Sequence, residues 1–336
     1  MSFLSVSDVS GSLRLRYMNA DLKRNANRLT AELASGRTSD VAAKLKGGLD
    51  RLGAVSRSVK MIDIYQMAGS ELLTRASGLQ SALQTVREIT QSSGIKMLAA
   101  GTTPTDMVTS AGANAAFDGL KSVVGALNTR LAGRSLFAGR ATDRPALVSA
   151  GAMLNDLQAL TAAANTAAQV AVIVDTYFNQ PGAGFDSSAY LGAQTSSGPT
   201  RISEAETAEI ATSAQEPELR RAMQGLALSA LLSRGILANN TSERGNLMKQ
   251  SGEMLISATD GVIGLQAKIG GSQQRIEAVQ TGNAARKSGL NVMIEQMTGA
   301  DGYKTATDLK AVEMRLEALY ISTTRLSRLS LVNYLR

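Results

Sequence analysis

The feature that most constrains this chain is a strict alternation of three- and four-residue spacings at both of its ends. Near the carboxyl end, Leu309, Val312, Leu316, Leu319, Thr323 and Leu326 repeat with that spacing between Asp301 and Arg336. Such a heptad seam predicts a helix that packs lengthwise against another helix. Lys310, Glu313, Arg315, Glu317, Arg325 and Arg328 fall off the seam, where charge stays hydrated. The run closes on Leu329-Ser330-Leu331-Val332-Asn333-Tyr334-Leu335, more apolar than an untethered chain end should be. The amino end carries a matching seam of Leu15, Met18, Leu22, Ala26, Leu29 and Leu33. The two ends therefore read as helices that pair, and as candidate contacts between subunits. Two ordinary amphipathic helices of a bundle would give the same periodicity.

Between the ends the same spacing recurs. Ile62, Tyr65, Gly69, Leu72, Ala76, Leu79, Leu83, Val86 and Thr90 predict a long helix over 55–93, interrupted at Ser92-Ser93-Gly94. Ala113, Phe117, Leu120, Val124, Leu127 and Leu131 predict another over 106–131. Residues 134–147 break the pattern with Gly139 and Pro145, 152–179 resume it, and 216–234 follow with Leu219, Met223, Leu226 and Leu231. A final long helix is expected over 241–299, with Gly270-Gly271 weakening its continuity. The stretch 179–201 is rich in Gly and Pro and reads as turns and short strands. Tyr177, Phe178, Phe185 and Tyr190 gather around it and predict a small separate core. All prolines lie between Pro104 and Pro217, leaving the flanks free for uninterrupted helices.

The expected fold is mainly α, a long-helix bundle or coiled coil built from both chain ends with a small α+β insert. Its parts would be an N-terminal helical end (1–40), the first half of a helical core (41–135), an outer α+β domain (136–215), the second half of the core (216–300) and a C-terminal helical end (301–336).

The chain has neither histidine nor cysteine. That removes thiolate nucleophiles, disulfides, Cys/His metal sites and the commonest neutral-pH general base. Neither a G-x-x-x-x-G-K-[ST] nor a G-x-G-x-x-G motif is present. Ser93-Gly94-Ile95-Lys96 matches S-x-x-K but has no S-D-N or K-T-G companion. Glu204, Glu206, Glu209, Glu216 and Glu218 read as a solvated face rather than a cation site. No catalytic residue, cofactor or metal site is expected, and the chain reads as a non-enzyme. The +7 charge is spread along helices and mixed with acids, without interleaved aromatics, so nucleic acid is not an expected partner. No leader-like or membrane-spanning segment is legible.

The ends carry a resemblance. Asp308-Leu309-Lys310, Leu316-Glu317-Ala318-Leu319-Tyr320 and Ser327 to Leu335 resemble the carboxyl end of the flagellin superfamily. Leu29-Thr30-Ala31-Glu32-Leu33-Ala34-Ser35-Gly36-Arg37 is similar to its amino-end signature. The turn Ser135-Leu136-Phe137-Ala138-Gly139-Arg140, with Arg144-Pro145-Ala146-Leu147, is similar to that of the flagellin-like hook-associated branch. The chain departs from the pattern at Ser39-Asp40-Val41-Ala42, where the family carries an acidic turn, and at Leu147, near a family Phe. Residues 148–215 correspond to a freely varying region.

The resemblance implies a structural subunit of the bacterial flagellum at the junction of hook and filament, exported by the type III route without leader cleavage. It implies lateral contacts with copies of itself, and contacts with another hook-associated protein, flagellin and an export chaperone. It makes Leu15, Met18, Leu22, Leu29, Leu33, Leu309, Val312, Leu316, Leu319, Leu326, Leu331 and Leu335 candidate assembly residues. Leu136, Phe137, Gly139 and Pro145 mark the turn. A flagellin filament subunit and a helical signalling or adaptor protein are the competing readings.

Overall fold

The computed structural model describes the backbone of residues 6–334 and the side chains of residues 10–325. In chain order the helices and strands are α1 (Val6–Ser35), α2 (Val41–Leu45), α3 (Leu49–Thr102), α4 (Asp106–Leu127), β1 (Arg130–Leu131), β2 (Arg134–Ser135), α5 (Ala150–Thr161), α6 (Ala167–Asn179), β3 (Thr200–Arg201), β4 (Thr207–Ala208), α7 (Pro217–Ala230), α8 (Thr241–Thr298) and α9 (Gly302–Tyr334). A π-helical turn spans Phe185–Ala189 and a 3-10 turn Leu231–Arg234. The fold is mainly α, with strands confined to two antiparallel hairpins, β1–β2 and β3–β4.

The chain forms two compact units, Met1–Asp63 with Ala284–Arg336, and Ile64–Asn283. Helices α3 and α8 contribute to both. In the larger unit, each seam residue of α3 from Tyr65 to Thr90 is buried. Leu79, Leu83 and Val86 meet Leu120, Val124 and Leu127 of α4, Met153 and Leu157 of α5, and Leu226 of α7 in one continuous core. Tyr177, Phe178, Phe185 and Tyr190 belong to that same core, so the separate aromatic core expected from their clustering does not exist. The reason is visible at Phe178 and Phe185, whose rings lie 5.5 Å apart and fully buried while α6 packs directly on α7.

Arg220 of α7 holds the aromatic loop in place. It pairs with Asp186 at 2.8 Å, donates to the Phe178 carbonyl at 2.9 Å, and lies over the Phe185 ring. A guanidinium this enclosed is tolerable because its donors find partners.

Four helix boundaries differ from expectation. Helix α3 runs straight through Ser92-Ser93-Gly94, where Gly94 faces Gly252 of α8 and an added methyl would sit a tight 3.3 Å from the Gly252 carbonyl oxygen. Gly101 faces Gly245 one heptad further on. These two glycine pairs let the antiparallel helices approach backbone to backbone, so glycine here serves packing rather than helix termination. Gly270-Gly271 likewise sits inside an unbroken α8. The helical stretch 152–179 is instead two helices: α5 ends at Thr161, and Thr166 caps α6 by accepting from Gln169 N. The helix predicted to Leu131 stops at Leu127, where the chain turns into the β1–β2 hairpin.

Where α3 and α8 separate enough to hold side chains between them, glutamines bridge them. Gln80 Nε2 donates to the Gln266 carbonyl at 2.8 Å and Gln280 Nε2 to the Gln66 carbonyl at 2.9 Å.

Candidate assembly surface

In the smaller unit, α1 and α9 pack along one another. They run antiparallel, since Ala300 N donates to Gly36 O at 2.8 Å at one end while Tyr320 reaches Asn19 further along. Their seams meet, but unevenly. Leu29 and Leu319 are buried, at 5% and 8% exposure. Leu15, Leu22, Leu309, Val312 and Leu316 are half-buried. Met18 and Leu33 remain exposed, at 47% and 44%. Leu326 and Leu331 lie outside the residues whose side chains are described, and Leu335 lies outside the described residues altogether.

The helix pair does not close over its own seam. A groove of about 420 Å³ remains between Met18, Asp21 and Leu22 on one side and Arg315, Ala318, Leu319 and Ser322 on the other. Outside it stands a second set of apolar side chains: Leu13 and Tyr17 on α1, and Met314, Tyr320 and Ile321 on α9. Met314 and Ile321 are seven residues apart, so they share one face of α9. This outer stripe is absent from the sequence-level candidates. Its signal was present as a heptad spacing, masked by the stronger leucine seam beside it.

One end of the pair is locked by polar chemistry that periodicity does not reveal. Helix α1 ends at Gly36 in a left-handed conformation (φ 67°), a usual helix stop. The chain then forms an antiparallel bridge between Arg37 and Gly299, with Thr38 N donating to Thr298 O at 2.8 Å. Lys44 Nζ donates to Gln296 O and Gly299 O at 2.8 and 2.6 Å, capping the carbonyl end of α8 with a cation. Asp301 Oδ1 accepts from Lys304 N and caps the start of α9. Ser39 and Asp40, where the chain departs from the flagellin pattern, build a turn of their own. Asp40 caps α2 through Ala43 N, and the Ser39 hydroxyl and N–H both donate to Glu32 Oε1.

Glu32 is buried, and its pKa lies below the usual 4.5. The Ser39 hydroxyl is the main cause, burial opposes it, and the Ser39 N–H and Arg28 add to the lowering. A carboxyl with a depressed folded-state pKa stabilises the fold above its unfolded value, and that stabilisation is lost as pH falls through the folded value. The α1–α2 turn is therefore expected to loosen below about pH 4.5, the ordinary carboxyl value. Hydrogen exchange at Ser39 N, followed from pH 6 to 3, should show the loss. Glu32→Gln should remove that pH dependence and exchange faster already at neutral pH.

The turn residues lie in the larger unit and have a structural job. Leu136 and Phe137 are buried, Gly139 is buried, and Pro145 is exposed. The backbone here is stitched on several sides: Ala193 N donates to Ala138 O, Ala214 N to Phe137 O, and Arg140 N to Thr195 O, each within 3.0 Å. Asn128 acts as a strand substitute, exchanging two 2.9 Å bonds with the N–H and carbonyl of Leu147. Gly139 has φ 60°, and an added methyl would press on the Ala193 carbonyl and sit 2.8 Å from Thr195 O. Gly139→Ala should therefore cost about 3 kcal/mol in a urea titration. Gly133→Ala, at φ 78° but in open space, should cost only about 1 kcal/mol.

Nothing in these places assembles a reaction centre. Ser93 of the S-x-x-K stretch is buried near the carboxyl end of α3 while Lys96 is exposed. Glu206 is occupied by a two-point contact with Arg275. Among the described residues no group of acidic side chains is disposed to hold a metal ion, and no helix is long and apolar enough to cross a membrane.

No protein-family profile and no curated protein matches the sequence. Solved structures do match its fold. A protein assigned as a flagellar hook-associated protein from Vibrio parahaemolyticus superposes with a TM-score of 0.51 at 17% identity, covering 73% of this chain and 95% of that one. Bacillus cereus FlgL superposes with a TM-score of 0.52 at 14% identity, covering 72% of this chain and 99% of that one. The fold is that of these flagellar proteins, with low sequence identity.

Proposed function

We propose that this chain is a structural subunit of the bacterial flagellum that forms the junction between hook and filament. The observation that carries the reading is the α1–α9 pair: its seam is only partly covered within the chain, and a groove and an outer apolar stripe lie beside it. A helix pair in that state gains from a further helix, because each apolar side chain removed from water contributes roughly 1.5–3 kcal/mol. In the assembly, copies would meet laterally through Leu15, Met18, Leu22 and Leu33 on α1 and Leu309, Val312, Leu316 and the leucines beyond it on α9. Another hook-associated protein and flagellin would occupy the two axial faces. An export chaperone would cover the same surfaces beforehand, and export would proceed through the type III route to the cell exterior. The chain acts without catalysis, its work being to complete a structural interface.

Deleting the gene tests the reading. Cells with hooks, no filaments and flagellin monomers in the medium support it. Hooks without secreted flagellin point to the filament subunit instead, and normal filaments overturn any flagellar role.

A further inference from the structure

A cavity of about 470 Å³ opens in the larger unit, where α3, the β1–β2 hairpin and the segment carrying Ser197 and Thr200 meet. Small-molecule sites have this size, and they set a few polar groups in an apolar wall. Here Leu72 of α3, Leu131 of β1 and Leu136 just beyond β2 supply the apolar wall, and Arg75 of α3 stands among them. Arg75 is half-buried, and its guanidinium has one hydrogen bond among the described residues, to the Ser197 hydroxyl at 3.1 Å. Burial lowers its pKa and the neighbouring Arg134 adds to the lowering, while Glu209 and Glu71 oppose it through space without an ion pair to Arg75. Arg134 and Glu71 are paired with each other instead, at 3.5 Å on the exposed rim. The wall also holds Ser135, 2% exposed, whose hydroxyl has no hydrogen-bond partner. Two donor groups are thus underused beside an apolar surface, one of them cationic.

The ligand follows from these groups. A guanidinium fork matches a carboxylate with two parallel hydrogen bonds, and an apolar wall stabilises a hydrocarbon body. Because Arg134 and Glu71 offset each other, one positive charge is left at the wall, which suits a monoanion. A phosphate dianion would keep an uncompensated charge near Glu71, and an ammonium would meet Arg75 instead of a partner. We propose that this cavity binds an amphipathic monocarboxylate, with a hydrocarbon chain or ring resting on Leu72, Leu131 and Leu136 and its carboxylate on Arg75. The lining lies within residues 64–283, and the proposal does not rest on the flagellar reading.

Isothermal titration calorimetry on the full chain tests this with octanoate, 1-octanol and octylammonium, which share a chain length and differ in charge. Octanoate should bind most tightly and octylammonium most weakly. Arg75→Met should weaken octanoate about tenfold or more while leaving 1-octanol within about twofold. Arg75→Lys keeps the charge without the fork and should lose less. Ala68→Trp, at a half-buried wall position on α3, should fill the cavity and abolish binding of both octanoate and 1-octanol. Thermal melts check that each variant is folded, and if Arg75→Met is not, Arg75→Lys and Ala68→Trp decide. Octanoate that binds no more tightly than octylammonium overturns the proposal. So does octanoate affinity indifferent to Arg75, or binding that survives Ala68→Trp, which would place the ligand elsewhere, such as the groove beside Leu319.

Discussion

Leu319→Asp is expected to separate α1 from α9 and abolish assembly while leaving the larger unit folded. Leu319 is among the few buried apolar side chains of the terminal pair. Replacing it removes that packing and places a carboxylate against Leu22 and Met18, which line the same groove. The loss of buried leucine and the cost of an unpaired charge together amount to about 4 kcal/mol, more than a single pair of helices can absorb. Limited proteolysis should then cut within α1 and α9, while a thermal melt still reports the core around Leu79, Leu120 and Leu226. Ile321→Asp separates pairing from assembly. Ile321 stands on the outer stripe, so this variant should keep the ends protease-resistant and still fail to polymerise. If the Leu319 variant assembles normally, the terminal pair is not the assembly element.

Gly252→Ala is expected to destabilise the larger unit by about 3 kcal/mol, against the usual rule for helices. In an open helical position, alanine in place of glycine stabilises by roughly 1 kcal/mol. At Gly252, however, the new methyl would lie 2.8 Å from the Leu98 nitrogen and 2.9 Å from the Gly94 carbonyl oxygen. Those are backbone atoms of α3, which cannot step aside without moving the helix. Gly264→Ala is the matched control: its methyl meets nothing within 4 Å, so it should raise the melting temperature. A Gly252→Ala variant as stable as the Gly264→Ala variant would mean that α3 and α8 have room to separate at this end.

These two glycines also show where sequence reading succeeds and where it stops. The α3 seam was legible residue by residue, because burying one face of a long helix demands apolar side chains at three-four spacing, and Tyr65 to Thr90 are buried. The meaning of Gly94 was not legible. A glycine that ends a helix and a glycine that admits a partner helix look alike until the partner is known, and Gly252 lies far along the chain. The same limit applies to Glu32. Its position beside the seam reads as a charge on a solvated face, and only the folded turn brings Ser39 back to it. The aromatic loop misled for a related reason: local clustering of Tyr177, Phe178, Phe185 and Tyr190 is a one-dimensional fact, whereas the core they join is set by α6 packing on α7. The unfilled groove beside Leu319 follows from two seams that are each readable but whose mutual coverage is not.

The glutamine bridges between α3 and α8 have a mechanical consequence. Two helices joined through a heptad seam alone have a competing alignment one repeat away, a slip of roughly 10 Å that would re-form most leucine contacts. Gln280 reaches the Gln66 carbonyl over Gly69, where an added methyl would collide with its Nε2, and a one-heptad slip would set it against the side chain of Ile62 or Ala76 instead. Under tension or twist, the helices must then deform together as a keyed beam, with shear between them suppressed along its length.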